Sequence, residues 1–230
     1  PLLAAGVING IGHALGYRNF ECKDAATNIL PWGILIGGEE LHNNHHTYPS
    51  SAKLSVRKWE FDIGWMWIRL FSMVGLANVR RVAPVPVREP NKPMLDMDSA
   101  RALLSNRFQV MAQYRRMVIK PLVKAERERV DASMQRLLKQ ARKLLWRETE
   151  LLKPKHHERL NQVLESNQTL QLIYQKRLEL QQIWNRTSSS GQERLQALRE
   201  WCQQAEASGI KALQEFADSL RTYTLQPVRG

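Results

Sequence analysis

Four prolines lie within a span of ten residues and divide the chain into two parts. They are Pro84, Pro86, Pro90 and Pro93. Proline fixes φ and donates no backbone hydrogen bond, so this density excludes a helix interior and a central strand. We therefore predict a proline-rich linker at residues 83–94, between a region 1–82 and a region 95–230.

The net charge of the chain is concentrated in the second region. The 230 residues carry 34 Lys and Arg against 22 Asp and Glu, a formal net charge of +12. Residues 1–93 account for +3 of this excess and residues 94–230 for +9. A positive excess predicts attraction to a polyanion, either nucleic acid or an anionic membrane face, and the charge alone does not choose between them.

The cysteines and the first residue bear on the origin of the chain. Cys22 and Cys202 are the only cysteines, which excludes a disulfide framework and favours a reducing compartment. The sequence begins at Pro1 rather than Met, and its start does not have the pattern of a signal peptide. We therefore expect a truncated or fragmentary sequence.

The first region begins with an uncharged apolar run. Pro1–Gly16 has no Asp, Glu, Lys or Arg, and as a helix it would be about 24 Å long, slightly less than a bilayer core. We expect it to be the end of a longer membrane span, with Arg18 and Lys23 placing this end in the cytoplasm. A second apolar run, Ile29–Gly38, is too short to cross a bilayer and predicts a buried or interfacial segment.

Large apolar residues between Trp59 and Val74 are accompanied by the basic residues Arg57, Lys58 and Arg69. This mixture is typical of an interfacial amphipathic helix with aromatic anchors. It is equally typical of a helix whose apolar stripe packs into a protein core. The sequence leaves both interpretations open.

The second region predicts helices throughout. Apolar residues between Val130 and Leu145 recur at spacings of three and four. Capping residues, prolines and turn signals mark the helix ends: Asp96 or Asp98, Pro121, Pro154, Thr187–Gly191 and Ser208–Gly209. We predict five or six helices, with Trp184, Trp201 and Cys202 in the core. The fold class is all-α: a membrane-associated helical segment, then a soluble helical bundle or long helical hairpins.

Three histidines mark a candidate metal site in the first region. His42, His45 and His46 stand at i, i+3 and i+4, which places them on one face of a helical turn. Imidazole is a common ligand of iron, zinc and copper, and this clustering favours metal binding over a polar loop that happens to be rich in histidine.

A second pair of candidate ligands lies upstream. Asn9 and His13 are four residues apart inside the apolar run, where a polar pair is costly unless it is used or paired. A metal site with ligands from several helices would use both residues. A structural histidine whose ring donates to a backbone carbonyl oxygen would give the same sequence pattern, so this alternative stays open. Glu39 precedes His42 by three residues and is placed to orient one imidazole.

The stretches N-G-I-G-H-A-L-G-Y-R-N-F (9–20), G-E-E-L-H-N-N-H-H-T-Y-P (38–49) and G-L-A (75–77) resemble the C-terminal part of membrane acyl-CoA Δ9 fatty acid desaturases. The resemblance covers about residues 1–85 and includes the third histidine box of that family. It implies an oxygen-dependent oxidoreductase of a bacterial inner membrane, with the metal site and the second region on the cytoplasmic side.

The resemblance also implies the cofactor and partners. Two iron ions would form a di-iron centre, ligated directly by His13, His42, His45 and His46 and through a water by Asn9. The enzyme would take two electrons from a donor protein, reduce O2 to water and place a cis double bond in a long acyl chain carried by CoA or a lipid.

The family has two earlier histidine boxes, HxxxxH and a further HxxHH, and this sequence has neither. Four histidines cannot complete a site that uses about nine ligands in these desaturases. We therefore expect the isolated chain to be an incomplete and inactive part of a desaturase.

Residues 95–230 resemble a C-terminal extension of some bacterial desaturases, through W-x-R-T-S-S-S-G (184–191) and E-W-C-Q-Q-A-E-A-S-G-I-K-A-L-Q-E-F-A (200–217). The same stretches resemble the helical C-terminal region of certain bacterial transposases, but no carboxylate triad can be assembled from them. The basic residues of this region suit either phosphate contact or a solvated surface of i,i+4 ion pairs, and we favour the latter. Nucleic acid is therefore not an expected partner. The alternative function is a basic helical protein that binds nucleic acid or a membrane surface and holds a structural metal.

Overall fold

The computed structural model describes Gly6 and residues 9–186 and 190–225. The chain divides into two compact units, Pro1–Pro84 and Val85–Gly230, here called unit 1 and unit 2. The division falls within the segment for which a linker is predicted. Part of that segment is nevertheless ordered structure, since strand β3 at Val87–Arg88 belongs to unit 2.

Unit 1 is built mostly from loops around short elements. Its helices are α1 (Asn9–Gly12), α2 (His42–Thr47) and α3 (Ile63–Met73). Two short strands, β1 (Trp32–Gly33) and β2 (Phe61–Asp62), pair in parallel.

The expected membrane span is not found in the described part of the chain. No helix there has both the length and the apolar character needed to cross a bilayer. Of the run Pro1–Gly16, only Asn9–Gly12 is an α-helix, and residues 1–5, 7 and 8 lie outside the described residues. The chain turns soon after this helix, because Gly16 has φ of +132°, a conformation that favours glycine.

A buried carboxylate organises the interior of unit 1. Glu60 accepts hydrogen bonds from the Tyr17 hydroxyl at 2.8 Å and from the side-chain amides of Asn19 and Asn44 at 2.5 and 3.0 Å. It also accepts from the backbone amides of Val56 and Arg57. These bonds join segments that are far apart in sequence, so polar contacts take much of the role that an apolar core has elsewhere.

The apolar residues of unit 1 lie largely at its surface. No described residue of α3 is buried. Exposed large apolar side chains also flank β1 and β2. The exposed large apolar residues of these strands, of α3 and of their neighbouring segments are Leu30, Trp32, Ile34, Leu35, Trp59, Phe61, Met66, Trp67, Leu70, Phe71, Met73, Val74 and Leu76. In the structure this helix is therefore not a core helix, and Ile29–Gly38 is not a buried segment.

Unit 2 contains eight α-helices among its described residues, more than the five or six predicted. They are α4 (Met97–Ser105), α5 (Arg107–Tyr114), α6 (Lys120–Arg129), α7 (Ala132–Ala141), α8 (Pro154–Ser166), α9 (Gln168–Asn185), α10 (Gly191–Ala207) and α11 (Lys211–Arg221). A two-residue strand β4 (Tyr223–Thr224) pairs antiparallel with β3. The all-α class is confirmed for this unit.

Helix ends in unit 2 follow the capping residues. Asp96, and not Asp98, caps α4 by accepting from the Ser99 amide at 2.7 Å. Pro154 begins α8 as predicted, and Gly209 has φ of +71° in the turn before α11. The residues 187–189 of the predicted loop lie outside the described residues.

Pro121 was predicted to divide this helical stretch, and a boundary between elements does lie there. The proline is in the first turn of α6, after a π-helical turn at Arg115–Ile119 that joins α5 to α6. The shift to i→i+5 bonding accommodates a residue without an amide hydrogen, and the helical path continues.

One apolar core extends through unit 2. Tyr114, Trp201 and Phe216 make edge-to-face ring contacts at its centre. Trp184 and Cys202 are buried in the same core, which confirms their structural role. The Trp201 indole donates to the carbonyl oxygen of Lys176 at 2.9 Å, so its polar atom is satisfied inside the core.

Candidate metal centre

Helix α2 is held in place by its two asparagines. The side-chain Nδ2 of Asn43 donates to the backbone carbonyl oxygens of Phe20 and Ala26. Its side-chain Oδ1 accepts from the backbone amides of Asn19 and Phe20. Asn44 bonds to Glu60 and receives a bond from Asn28. Because both asparagines are buried in this network, the register of the helix is fixed and so are the directions of its histidines.

His13 is brought to α2 by the chain that follows α1. The Thr27 amide and hydroxyl both donate to the Gly12 carbonyl oxygen, which fixes the backbone next to His13. A Cβ on Gly12 would lie 2.9 Å from Cδ2 of His42. Glycine at this position is therefore what allows the two segments to approach so closely.

Three of the predicted ligands converge. One ligand atom from each of His13, His42 and His46 lies within 4.8 Å of the other two. Nε2 of His42 and Nε2 of His13 are 3.2 Å apart. The ring centroids of His42 and His46 are 4.3 Å apart, so the three imidazoles surround one small volume.

His42 is the most buried member of the group. Burial, followed by the positive charge that His46, His13 and His45 would carry, lowers the pKa of His42 to about 4. The ring is therefore neutral at neutral pH, which is the form that ligates metals. Its Nδ1 atom is buried and has no hydrogen-bond partner among the described residues. An unpaired buried polar atom costs about 1–3 kcal/mol, which a purely structural residue would not be expected to carry.

His46 is oriented by a carboxylate that the sequence analysis did not identify. Asp24 Oδ2 lies 2.6 Å from Nδ1 of His46, while Asp24 Oδ1 accepts from the Ala26 amide at 2.9 Å. Partial burial alone would raise the pKa of Asp24, but the bonds from Ala26 and His46 outweigh it and lower the pKa. Asp24 therefore stays ionised and leaves Nε2 of His46 available for a ligand.

The remaining predicted residues stand apart from this group. His45 is not one of the three convergent histidines, and its side chain is 36% exposed. Glu39 Oε1 lies 3.6 Å from Nδ1 of His45, so Glu39 approaches that imidazole rather than His42. Asn9 begins α1, but its side chain lies outside the described part of the structure.

His13, His42 and His46 can ligate one metal ion, but they are too few to ligate two. Three imidazoles with a neutral His42 form a suitable donor set for one transition-metal ion. No other group of three His, Cys, Asp or Glu side chains converges in the described ranges 9–186 and 190–225. A second ion would need ligands that these residues do not bring together.

Comparison with known families identifies the larger part of the chain. A family model described as transposase, of the ISL3 type, matches residues 101–226, which is more than half of the sequence. The chain belongs to this transposase family. The match corrects our interpretation of residues 95–230 as an extension of bacterial desaturases and agrees with the resemblance of this region to transposases.

This transposase family member also contains a desaturase-related region. An sn-2 palmitoyl-lipid 9-desaturase of Nostoc sp. is 44% identical over 71 residues, which are 31% of this chain and 25% of the Nostoc protein. An sn-1 stearoyl-lipid 9-desaturase of Anabaena variabilis is 36% identical over 77 residues, 34% of this chain and 28% of that protein. A Delta-9 desaturase-like 5 protein of Arabidopsis thaliana is 39% identical over 72 residues, 31% and 24% of the two chains.

The chain thus spans about a quarter of the length of the curated desaturases that it matches. The names of the Nostoc and Anabaena proteins refer to acyl lipids and the Arabidopsis name refers to no acyl carrier, so these names do not establish the acyl-CoA specificity that the resemblance implied. No solved structure matches the chain.

The transposase part carries exposed cations at one end of a helix pair. Helix α7 contacts α8, and Met134 near the start of α7 lies beside Ser166 at the end of α8, so the two run antiparallel. The last turn of α7, the residues that follow it and the start of α8 therefore lie at the same end of the pair. The exposed cations there are Lys139, Arg142, Lys143, Lys153 and Lys155.

These five cations are not in the ion pairs that we predicted. No ion pair to any of them is formed within the described ranges of unit 2. Glu126 and Asp131 lie at the other end of the helix pair and have other partners, since Glu126 pairs with Arg129 and Asp131 caps α7. Two exposed acids, Glu150 and Glu158, lie in the same stretch of sequence as the five cations, so the local charge is positive but partly offset.

Proposed function

We propose that residues 1–82 are the third-histidine-box part of an oxygen-dependent di-iron fatty acid desaturase. The observation that carries the proposal is the convergence of His13 with His42 and His46. In a complete enzyme, these residues, with His45 and with Asn9 through a water, would supply part of the iron ligands. The names of the relatives favour a long acyl lipid as substrate, with O2 and an electron-donor protein as the other partners.

We propose that this chain alone does not catalyse desaturation. The described residues bring together the ligands of a single ion, and the sequence has none of the earlier boxes. A chimera tests both statements. Residues 1–82 would replace the matching C-terminal part of the Nostoc palmitoyl-lipid desaturase, and fatty acids of cells expressing the chimera would be analysed for new double bonds.

The expected result is desaturation by the chimera and none by the chain itself. Replacing the metal ligand His46 by Ala in the chimera is expected to abolish the product. Lys58→Ala in the same chimera, at an exposed residue that does not belong to the convergent group, is the control and should leave the product unchanged. A chimera that is produced and membrane-bound but makes no unsaturated product would refute the desaturase proposal. Product from the chain alone would refute the proposed inactivity.

We propose that unit 1 lies at a bacterial inner membrane, with the metal site on the cytoplasmic side. Its exposed apolar surface supports contact with a bilayer. Trp67, Leu70 and Phe71 are exposed on α3, and Arg69 lies among them. An exposed apolar face with aromatic and basic residues suits the interface of a bilayer. We expect the chain to float with lipid vesicles, and Trp67→Gln with Leu70→Gln to leave it in the aqueous fraction. Equal flotation of the double variant would refute this surface as the contact.

We propose, as a second function, that unit 2 binds nucleic acid without catalysing strand transfer. Two observations favour binding: membership of a transposase family and the cluster of exposed cations on α7 and α8. A catalytic role lacks a comparable basis, since no three carboxylates converge within the described residues.

Binding of the full chain to duplex DNA at a series of salt concentrations tests this function. Each phosphate contact contributes about 0.9 to the slope of log affinity against log salt. Replacing Lys139, Arg142 and Lys143 by Ala is expected to lower that slope by about 2 to 3. The matched control replaces Arg101, Arg129 and Lys211, cations with acidic partners, and is expected to change the slope less. Equal effects of the two triple variants would refute a specific surface.

A further inference from the structure

We propose that this chain binds one divalent transition-metal ion, of the zinc and cobalt class, through His13, His42 and His46, with Asp24 as the residue that positions His46. The inference concerns the histidines of the proposed desaturase site but does not rest on desaturation. It assigns to the isolated chain a one-ion site, where the family resemblance implies two irons.

The separation of the ligand atoms carries the first step. Two nitrogens bound at about 2.0–2.1 Å to a tetrahedral ion lie about 3.3–3.4 Å from each other. The Nε2 atoms of His13 and His42 are 3.2 Å apart. One ring nitrogen of each of the three histidines lies within 4.8 Å of the other two, so a small contraction on binding would place three nitrogens around one ion.

The chemistry of the donors carries the second step. The convergent group consists of three imidazoles and includes no thiolate and no carboxylate. A three-histidine set with one open position is a known arrangement for catalytic zinc, the open position being taken by water. Among divalent ions, imidazole sites bind iron more weakly than cobalt, nickel, copper or zinc. Copper would exceed zinc in this order but prefers a square-planar or tetragonal arrangement, so a tetrahedral site favours zinc, and cobalt is its spectroscopic substitute.

Asp24 carries the third step. Its carboxylate is fixed on one side by the Ala26 amide and on the other meets Nδ1 of His46. This bond places the proton of a neutral His46 on Nδ1 and leaves Nε2 as the lone-pair donor. Loss of such a partner weakens metal binding by about 10- to 100-fold. Asp24 does not itself belong to the convergent group, so it acts through His46 and not as a ligand.

His45 decides between one ion and two. Its closest charged neighbour is Glu39 at 3.6 Å, and neither residue belongs to the convergent group. One imidazole and one exposed carboxylate are too few ligands for a second tight site. A one-ion site therefore tolerates the loss of His45, whereas a two-ion centre that uses His45 does not.

The test is a titration of the full chain, freed of metal by a chelator. Zn²⁺ binding would be followed by calorimetry and Co²⁺ binding by its visible absorption. We expect one tight ion per chain and the absorption of tetrahedral Co²⁺. His13→Ala should abolish tight binding without unfolding, because His13 is exposed, and circular dichroism would verify the fold. Asp24→Asn should weaken binding about 10- to 100-fold at unchanged stoichiometry.

His157→Ala in unit 2 is the silent control, and His45→Ala is the discriminating variant. Two tight ions per chain, with one lost in His45→Ala, would overturn the one-ion assignment. Absence of tight binding by the folded chain would show that the contact between His13 and His42 is a hydrogen bond only. Neither outcome depends on the activity of the chimera, so the proposed desaturase function and this inference fail separately.

Discussion

Unit 1 and unit 2 distribute apolar and polar residues in opposite ways. In unit 2, apolar side chains from α4 to α11 form a continuous core and the charged residues lie outside. In unit 1, the described buried apolar residues are only Phe20, Cys22, Ala26 and Leu41, while asparagines, Glu60 and Asp62 occupy the interior. Large apolar residues such as Leu35, which is 83% exposed, lie at the surface of unit 1.

The contrast indicates what each unit depends on. Burial of apolar area is the main favourable term in folding, so unit 2 has the usual source of stability. Unit 1 relies on hydrogen bonds that connect its loops, and its exposed apolar area favours contact with another apolar surface. The chain also matches two unrelated kinds of protein, transposases and desaturases. The two units therefore need not have been adapted to the same molecular environment.

The largest effect is expected from Glu60→Ala in unit 1. The substitution removes the acceptor of at least five hydrogen bonds and leaves Asn19, Asn44 and two backbone amides without it. Loss of a buried network of this kind costs more than about 4 kcal/mol, and unit 1 has little apolar core to offset it. Limited proteolysis should show unit 1 degraded and unit 2 intact. Glu39→Ala, at an exposed carboxylate of the same unit, is the control, and survival of unit 1 in Glu60→Ala would show that its stability has another source.

The same chemical change in the two units should have unequal effects. Phe216→Ala opens a cavity beside Tyr114 and Trp201 and is expected to destabilise unit 2 by about 3–5 kcal/mol. Phe61→Ala removes a ring that is 41% exposed, and we expect about 1 kcal/mol or less. Urea unfolding followed by circular dichroism and by tryptophan fluorescence would measure both. Similar losses for the two variants would contradict the contrast between a covered and an uncovered apolar residue.

A smaller effect is expected at the first helix of unit 2. Asp96→Ala removes the cap of α4 and the partner of Lys92, and we expect a loss of about 1 kcal/mol at neutral pH. Burial acts to raise the pKa of Asp96, but the bonds from Lys92 and Ser99 outweigh it and lower the pKa to about 2. The contribution is therefore present above the unfolded value of about 3.9 and is lost as the pH falls towards 2.

Urea unfolding of the two proteins between neutral and acidic pH checks this prediction. The difference in stability should shrink as the pH is lowered. Asp98→Ala is the matched control, since Asp98 contacts Arg101 only at 3.7 Å and caps no helix. A difference that stays constant down to pH 2 would show that the charge of Asp96 is not involved.

The sequence was sufficient for features that depend on local spacing. The i, i+3, i+4 positions predicted that His42 and His46 share one face of a helix, and the capping and apolar patterns predicted the helices of unit 2. The role of these histidines as iron ligands stays a proposal. Pro121 was expected to divide the stretch, and it does mark the start of α6, but the π-helical turn before it keeps the helical path continuous, which the sequence did not predict.

The rest required contacts between distant residues. Asp24 is 22 residues from His46, and no local pattern distinguishes it from a solvated acid. Glu60 gave no signal either, because its donors come from three separate segments of the chain. The apolar stripe of α3 has the same pattern whether a core or a bilayer covers it, so only the structure could show that the rest of unit 1 does not cover it.

Helix α2 makes the length of the H-N-N-H-H motif intolerant to change. Successive residues of an α-helix are rotated by about 100°, so inserting or deleting one residue would turn every later side chain by that angle. With Asn43 and Asn44 fixed by their bonds to Phe20 and Glu60, a shift of this kind would direct His46 away from His13. A sequence that kept every residue type of this five-residue motif but gained or lost one position would therefore lose the site.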